Sequence, residues 1–189
     1  MSTGEVLACA GARWSPGIGD PTVLGWATVA VYALAAVLCG RLAASPAGRA
    51  ERRFWWGLAA LMAALAVNKQ LDLQSALTAA GRCVAQIQGW YGARRQVQLW
   101  LVEGLVALSA AGLAWMLWAM RRSLRRVWPA VLGTALVAGF VAVRAMGFHH
   151  VDAFIGWRVG MARTNHALEI GGTALVALNA LVLLRRGRP

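Results

Sequence analysis

The chain has 189 residues, of which 59% are hydrophobic and 14% charged, with a net charge of +12. That length leaves room for one domain and hardly two. The composition excludes a disordered chain, argues strongly against an ordinary soluble domain, and indicates a membrane protein. The basic excess would suit a nucleic-acid binder, but its placement, described below, has a simpler cause in membrane topology, and no interleaved basic and aromatic pattern is present.

In chain order, the first residues lack a basic segment leading into an apolar stretch and a small-residue cleavage site, so no removable signal peptide is expected. Apolar stretches long enough for a bilayer core, which takes roughly 20 helical residues, run near 22–42, 54–75, 99–120, 128–149 and 165–184. The fold class expected is an all-helical integral membrane bundle of five spans in a single domain over residues 1–189. Arg41, Arg49, Arg52 and Arg53 follow the first span; Arg121, Arg122, Arg125 and Arg126 follow the third; Arg185, Arg186 and Arg188 follow the fifth. Clusters after alternate spans share one side, and arginine-rich loops stay cytoplasmic, which predicts the N-terminus outside and the C-terminus inside. Among the acidic residues only Glu51 falls on the cytoplasmic side, and Trp55, Trp56, Trp118 and Trp128 mark the same boundary. Eighteen arginines against the single Lys69 suggest a GC-rich bacterial genome and hence the inner membrane.

Within the spans, ionisable groups recur near one depth. Asp72, Glu103, Arg144 and Glu169 lie 16 to 19 residues from the nearest cytoplasmic marker in four different stretches. At about 1.5 Å per residue that is roughly 24–29 Å above the inner edge. An ionised group facing lipid at mid-membrane costs about 2.5–3.5 kcal/mol. A shared outward-facing cavity, in which Arg144 and Lys69 meet Asp72, Glu103 and Glu169, relieves that cost. The run Asn68-Lys69-Gln70-Leu71-Asp72-Leu73-Gln74 ends the second span and places Asn68 with Asp72, Gln70 with Gln74 and Lys69 with Asp72 at helical spacing, so that these groups support one another. Residues Arg82 through Arg95 are expected to form a loop with Trp90 and Tyr91 as aromatic anchors.

All three histidines belong to the outer zone. His149-His150-Val151-Asp152 and Asn165-His166-Ala167-Leu168-Glu169 each set a histidine three residues before a carboxylate, so on a helix both side chains project from one face. Nitrogen and oxygen donors of this kind suit zinc, iron or manganese, and His149, His150, Asp152, His166 and Glu169 form the candidate metal set. The corresponding reaction class is metal-assisted hydrolysis or transfer. Lys69, Asp72, Glu103 and Arg144 are the catalytic candidates, with Glu103 as general base. Arg94, Arg95, Asn68, Gln70 and Asn165 would bind an anionic or lipid-linked substrate. The non-enzymatic alternatives are a haem or metal carrier and a docking surface for another membrane protein.

The segment from Arg144 to Gly156 resembles the last signature of membrane phosphatidic-acid phosphatases in one interval, Arg144 to His150. It departs from it because Asp152 comes too soon and because no Pro-Ser-Gly-His segment or lysine-arginine-proline opening is present. Cys9, Cys39 and Cys83 are too scattered for a zinc ribbon, a CxxC pair or a disulfide framework, and are expected to set no fold. Cys83, beside Arg82, is a thiol candidate for transpeptidation. Gly171-Gly172, with Gly112, Gly133 and Gly139, are expected to serve close helix packing.

Overall fold

The computed structural model describes residues 3–15, 17–45, 48–146, 158–159 and 162–187. They form seven α-helices: α1 (Thr3–Gly11), α2 (Val23–Ala44), α3 (Arg49–Leu71), α4 (Leu73–Ile87), α5 (Arg94–Ala119), α6 (Leu124–Met146) and α7 (Thr164–Arg185). A single 3-10 turn, Tyr91–Ala93, precedes α5, and an antiparallel pairing of Arg158–Val159 with Ala162–Arg163 precedes α7. Four helices are long and apolar enough to cross a membrane, over Val23–Ala44, Leu99–Ala119, Leu124–Val141 and Ala167–Arg185. This is the multi-pass membrane character expected from composition. The remaining stretch, α3, is comparably long, but Asn68, Lys69 and Gln70 make its last turns polar.

The expected span over 54–75 does not run straight. It stops at Leu71, and Asp72 takes a left-handed conformation (φ 46°, ψ 49°), which aspartate tolerates better than most side chains. The Asp72 carbonyl then accepts from the Ser75 amide at 3.0 Å, which starts α4. The spacing expected across this point, from Asn68, Lys69 and Gln70 to Asp72 and Gln74, therefore does not run on through one continuous helix. The expected loop from Arg82 also gives way, because α4 continues to Ile87. The chain turns only at Gly89, whose φ of +76° a side chain would resist.

The core sits between α2, α3, α6 and α7. On α2, Thr28, Tyr32, Ala35, Cys39 and Leu42 recur at three- and four-residue intervals and are buried, so one stripe faces the neighbouring helices α3 and α7. Phe54, Trp55, Leu58 and Met62 answer it from α3. Helices α6 and α7 cross at glycine: a Cβ on Gly133 would run into the Gly172 carbonyl oxygen, and one on Gly172 would lie 2.9 Å from the Gly133 oxygen. Small residues let helix backbones approach this closely, which is how packing compensates for the weak hydrophobic drive between helices in lipid. Gly133 and Gly172 thus serve as expected, whereas nothing lies within 4 Å of a Cβ on Gly112, Gly139 or Gly171.

The cysteines correct an expectation. Cys9 and Cys83 form a disulfide across 74 residues and tie α1 to α4, and the Arg13 guanidinium donates to the Gln86 side-chain oxygen at 2.7 Å beside it. Spacing could not show this, because the pairing depends on α4 folding back over α1. Cys83 is therefore no free thiol, and the transpeptidase reading loses its nucleophile. Cys39 is free and buried.

Candidate functional site

The polar residues converge where the last turn of α3 meets the start of α7. The approach to α2 contributes as well. Gly19 donates its amide to the Gln70 carbonyl at 2.7 Å, and a Cβ on Gly19 would come within 3.0 Å of Asp72 Cβ and 3.1 Å of the Lys69 oxygen. Three residues later the chain turns into α2: Thr22 caps it by accepting from the Gly25 amide at 3.0 Å, and the Asp20 carboxylate accepts from the Thr22 hydroxyl at 2.6 Å. This local hydrogen bonding holds Asp20 against the end of α3.

Lys69 lies at the centre. Its Nζ donates to Glu169 Oε2 at 2.8 Å and stands 3.8 Å from the Asp20 carboxylate. Glu169 is buried, 6% exposed, in the second turn of α7. Behind it, the Thr173 hydroxyl donates to the Glu169 backbone oxygen at 2.7 Å. Tyr32, also buried, approaches the same place from α2, which packs against α7 as well as α3. The amide nitrogen and oxygen of Gln70 are buried without a partner among the described residues. One ammonium between two carboxylates, with the unpartnered Gln70 amide on the same last turn of α3, offers both donors and acceptors to a polar group at that end of the helix.

Of the residues singled out from sequence, Lys69 and Glu169 are brought together, with Asn68 and Gln70 in the same last turns of α3. Asp72 sits at the kink, half-buried. Glu103 is exposed on α5, whose main packing partner is α6. Arg94 and Arg95 open α5, Arg144 lies near the end of α6, and Asn165 and His166 lie in the first turn of α7. His149, His150 and Asp152 lie outside the described residues.

The expected common depth of Arg144 and Glu169 does not hold. Gly133 against Gly172, and the Asn179 amide donating to the Arg126 oxygen at 2.9 Å, establish one antiparallel register for α6 and α7. In that register Arg144 lies about eight residues, or roughly 12 Å of helix rise, beyond the level of Glu169. The depth count treated Trp128 and Arg185 as equivalent edges, whereas α7 extends well past Trp128 at the arginine-rich end.

Sequence reasoning missed Asp20, Tyr32 and Thr173. Each left a signal: Asp20-Pro21-Thr22 is a helix-start pattern, Tyr32 is a polar tip within an apolar stretch, and Thr173 follows Glu169 by one helical turn. Among the described residues no group of three or more His, Cys, Asp or Glu side chains is arranged to hold a metal ion. Glu169, one of the five expected ligands, is paired with a cation at 2.8 Å, and a divalent ion on the same oxygen would meet its repulsion. Comparisons with protein-family models, curated proteins and solved structures found no match.

Proposed function

We propose that this chain is a five-span protein of a bacterial inner membrane, N-terminus outside, with an outward-facing site that hydrolyses or transfers an anionic or lipid-linked substrate. The observation that carries the site is the buried Lys69–Glu169 pair with Asp20 beside it. Ionisable groups buried within a membrane bundle are costly and mark functional places more often than ordinary packing does.

Two further observations support the topology. Helix α3 pairs at both ends: Lys69 with Glu169 near the start of α7, and Glu51 with Arg126 at 3.0 Å near the start of α6. A helix so anchored runs the length of the bundle, which favours α3 as the fifth span. The Cys9–Cys83 disulfide sits on helices attached to the end opposite the arginine clusters, and disulfides persist in oxidising compartments. Charge bias and cysteine chemistry thus support the same orientation by separate physics.

In this reading Lys69 holds Glu169 in place, and Asn68, Gln70, Arg94, Arg95 and Asn165 contribute substrate contacts. His149, His150, Asp152 and His166 supply the metal donors, with Glu169 as a positioning residue, while Asp72, Glu103 and Arg144 remain the acid, base and anion-binding candidates. A bound divalent ion would polarise the substrate and lower the pKa of a coordinated water. Purified protein in nanodiscs, assayed for zinc, iron and manganese and for release of phosphate from lipid phosphates, tests this directly. Stoichiometric metal with chelator-sensitive turnover supports it, and metal-free protein without turnover overturns the enzyme reading. A visible absorption band would instead identify the haem carrier.

Glu103 favours a second reading. An exposed carboxylate within the Leu99–Ala119 span suits a contact with another membrane protein. Cross-linking from a photoreactive residue at Glu103 in native membranes would capture a protein partner on this reading and lipid alone without it.

A further inference from the structure

Helix α4 has a face that the fold leaves uncovered. Leu73, Leu77, Ala80, Val84 and Ile87 share one side of it, with Ser75 and Arg82 on the other. Leu77 is 75% exposed, and Leu73 and Ile87 about two-fifths. Ser75 and Arg82 are exposed as well. The helix therefore presents an apolar and a polar surface on opposite sides, with one edge packed on α1 through Ala79 and Cys83, both buried.

Its place in the chain says what meets the apolar side. Helix α4 begins directly after α3 at the left-handed Asp72, and ends at the Gly89 turn shortly before α5. On the five-span reading, on which this inference rests, α3 ends and α5 begins at the outer membrane surface, so the helix joining them is held at that level. An amphipathic helix held there buries its apolar face at the boundary of headgroups and acyl chains. Trp14 follows α1 and Trp90 follows α4, and tryptophan favours the same layer. The Cys9–Cys83 disulfide and the Arg13–Gln86 hydrogen bond keep α1 on α4.

We propose that α4, with α1 stapled to it, lies on the outer leaflet as an interfacial helix. Leu73, Leu77 and Ile87 enter the lipid, and Ser75 and Arg82 face water. The partner is the lipid surface itself.

Spin labels at Leu77→Cys and Arg82→Cys, each in Cys39→Ala protein with the disulfide intact, test this in phosphatidylethanolamine–phosphatidylglycerol vesicles. Ser75→Cys replaces Arg82→Cys if that variant does not fold. The expected result is severalfold greater collision with oxygen at Leu77, and severalfold greater collision with a water-soluble nickel chelate at Arg82. Equal access of the chelate to both sites would mean that the helix stands free in water, and shielding of Leu77 from both reagents would mean that protein covers the face; either overturns the proposal. Intact cells treated with a membrane-impermeant maleimide separate this from the topology. Labelling of Arg82→Cys from outside upholds the five-span reading, whereas labelling only after the cells are opened overturns that reading and the proposal with it.

Discussion

Each end of the bundle ties α3 to another helix by an ion pair, yet the two pairs sit in different surroundings. At the arginine-rich end, Arg126 meets Glu51 at 3.0 Å with side chains 38% and 13% exposed. At the other end, Lys69 meets Glu169 at 2.8 Å with side chains 15% and 8% exposed, and a second carboxylate, Asp20, lies alongside. The first pair has the more accessible cation, its guanidinium over a third exposed, and solvent reaching one partner lowers what a salt bridge contributes. The second is withdrawn from water, so removing one partner leaves the other charged and uncompensated. Similar distances therefore imply different consequences: one pair is a partly accessible clamp at the arginine-rich end, and the other is a polar centre that the packing encloses.

The sharpest way to break that comparison is at Lys69. Lys69→Met should lower unfolding stability in mixed micelles by about 3–5 kcal/mol, because Glu169 and Asp20 lose their cation. Adding Glu169→Gln should recover most of the loss, and a single variant as stable as the parent would contradict a buried pair. Next in size is the Cys9–Cys83 disulfide between α1 and α4. Cys83→Ser, or reduction of the parent protein, should cost about 2–4 kcal/mol and free α1 and α4 to local proteolysis. Cys39→Ala should leave that proteolytic pattern unchanged.

A third test moves between the ends, to the glycine crossing. Gly172→Val forces α6 and α7 apart and should cost about 1–3 kcal/mol. Gly171→Val, with open space around it, should stay close to the parent, so equal losses would mean that helix propensity rather than packing is being measured. The smallest effect is expected at the Glu51–Arg126 pair: Glu51→Gln should cost below about 1 kcal/mol and less still in high salt. A loss at Glu51 matching that at Lys69 would erase the distinction between the ends.

Much of the site was legible in part. Lys69 and Glu169 stood out because a charge in an apolar stretch is expensive wherever it goes, and that cost is visible in composition alone. Their partnership was not, since Asp72, Glu103 and Arg144 carried the same signal. Asp20 was read only as an outer acidic residue, because its position depends on Gly19 bonding the end of α3. Glu103 shows the converse: it stands about as far along α5 from Arg121 as Glu169 stands along α7 from Arg185, but it is exposed while Glu169 is buried. Depth can be counted along one helix. The side a residue faces depends on which helix packs against it.

The chain's own composition determined that this is a helical chain with several stretches apolar and long enough to cross a membrane, because the transfer of an apolar helix into lipid is decided segment by segment. Only the tertiary structure decided the kink at Asp72, the Cys9–Cys83 staple, the register of α6 against α7 and the choice of Glu169 as the partner of Lys69. These rest on contacts between residues far apart in sequence. Helix packing in lipid follows close steric fit and hydrogen bonding rather than hydropathy, so no local pattern encodes them.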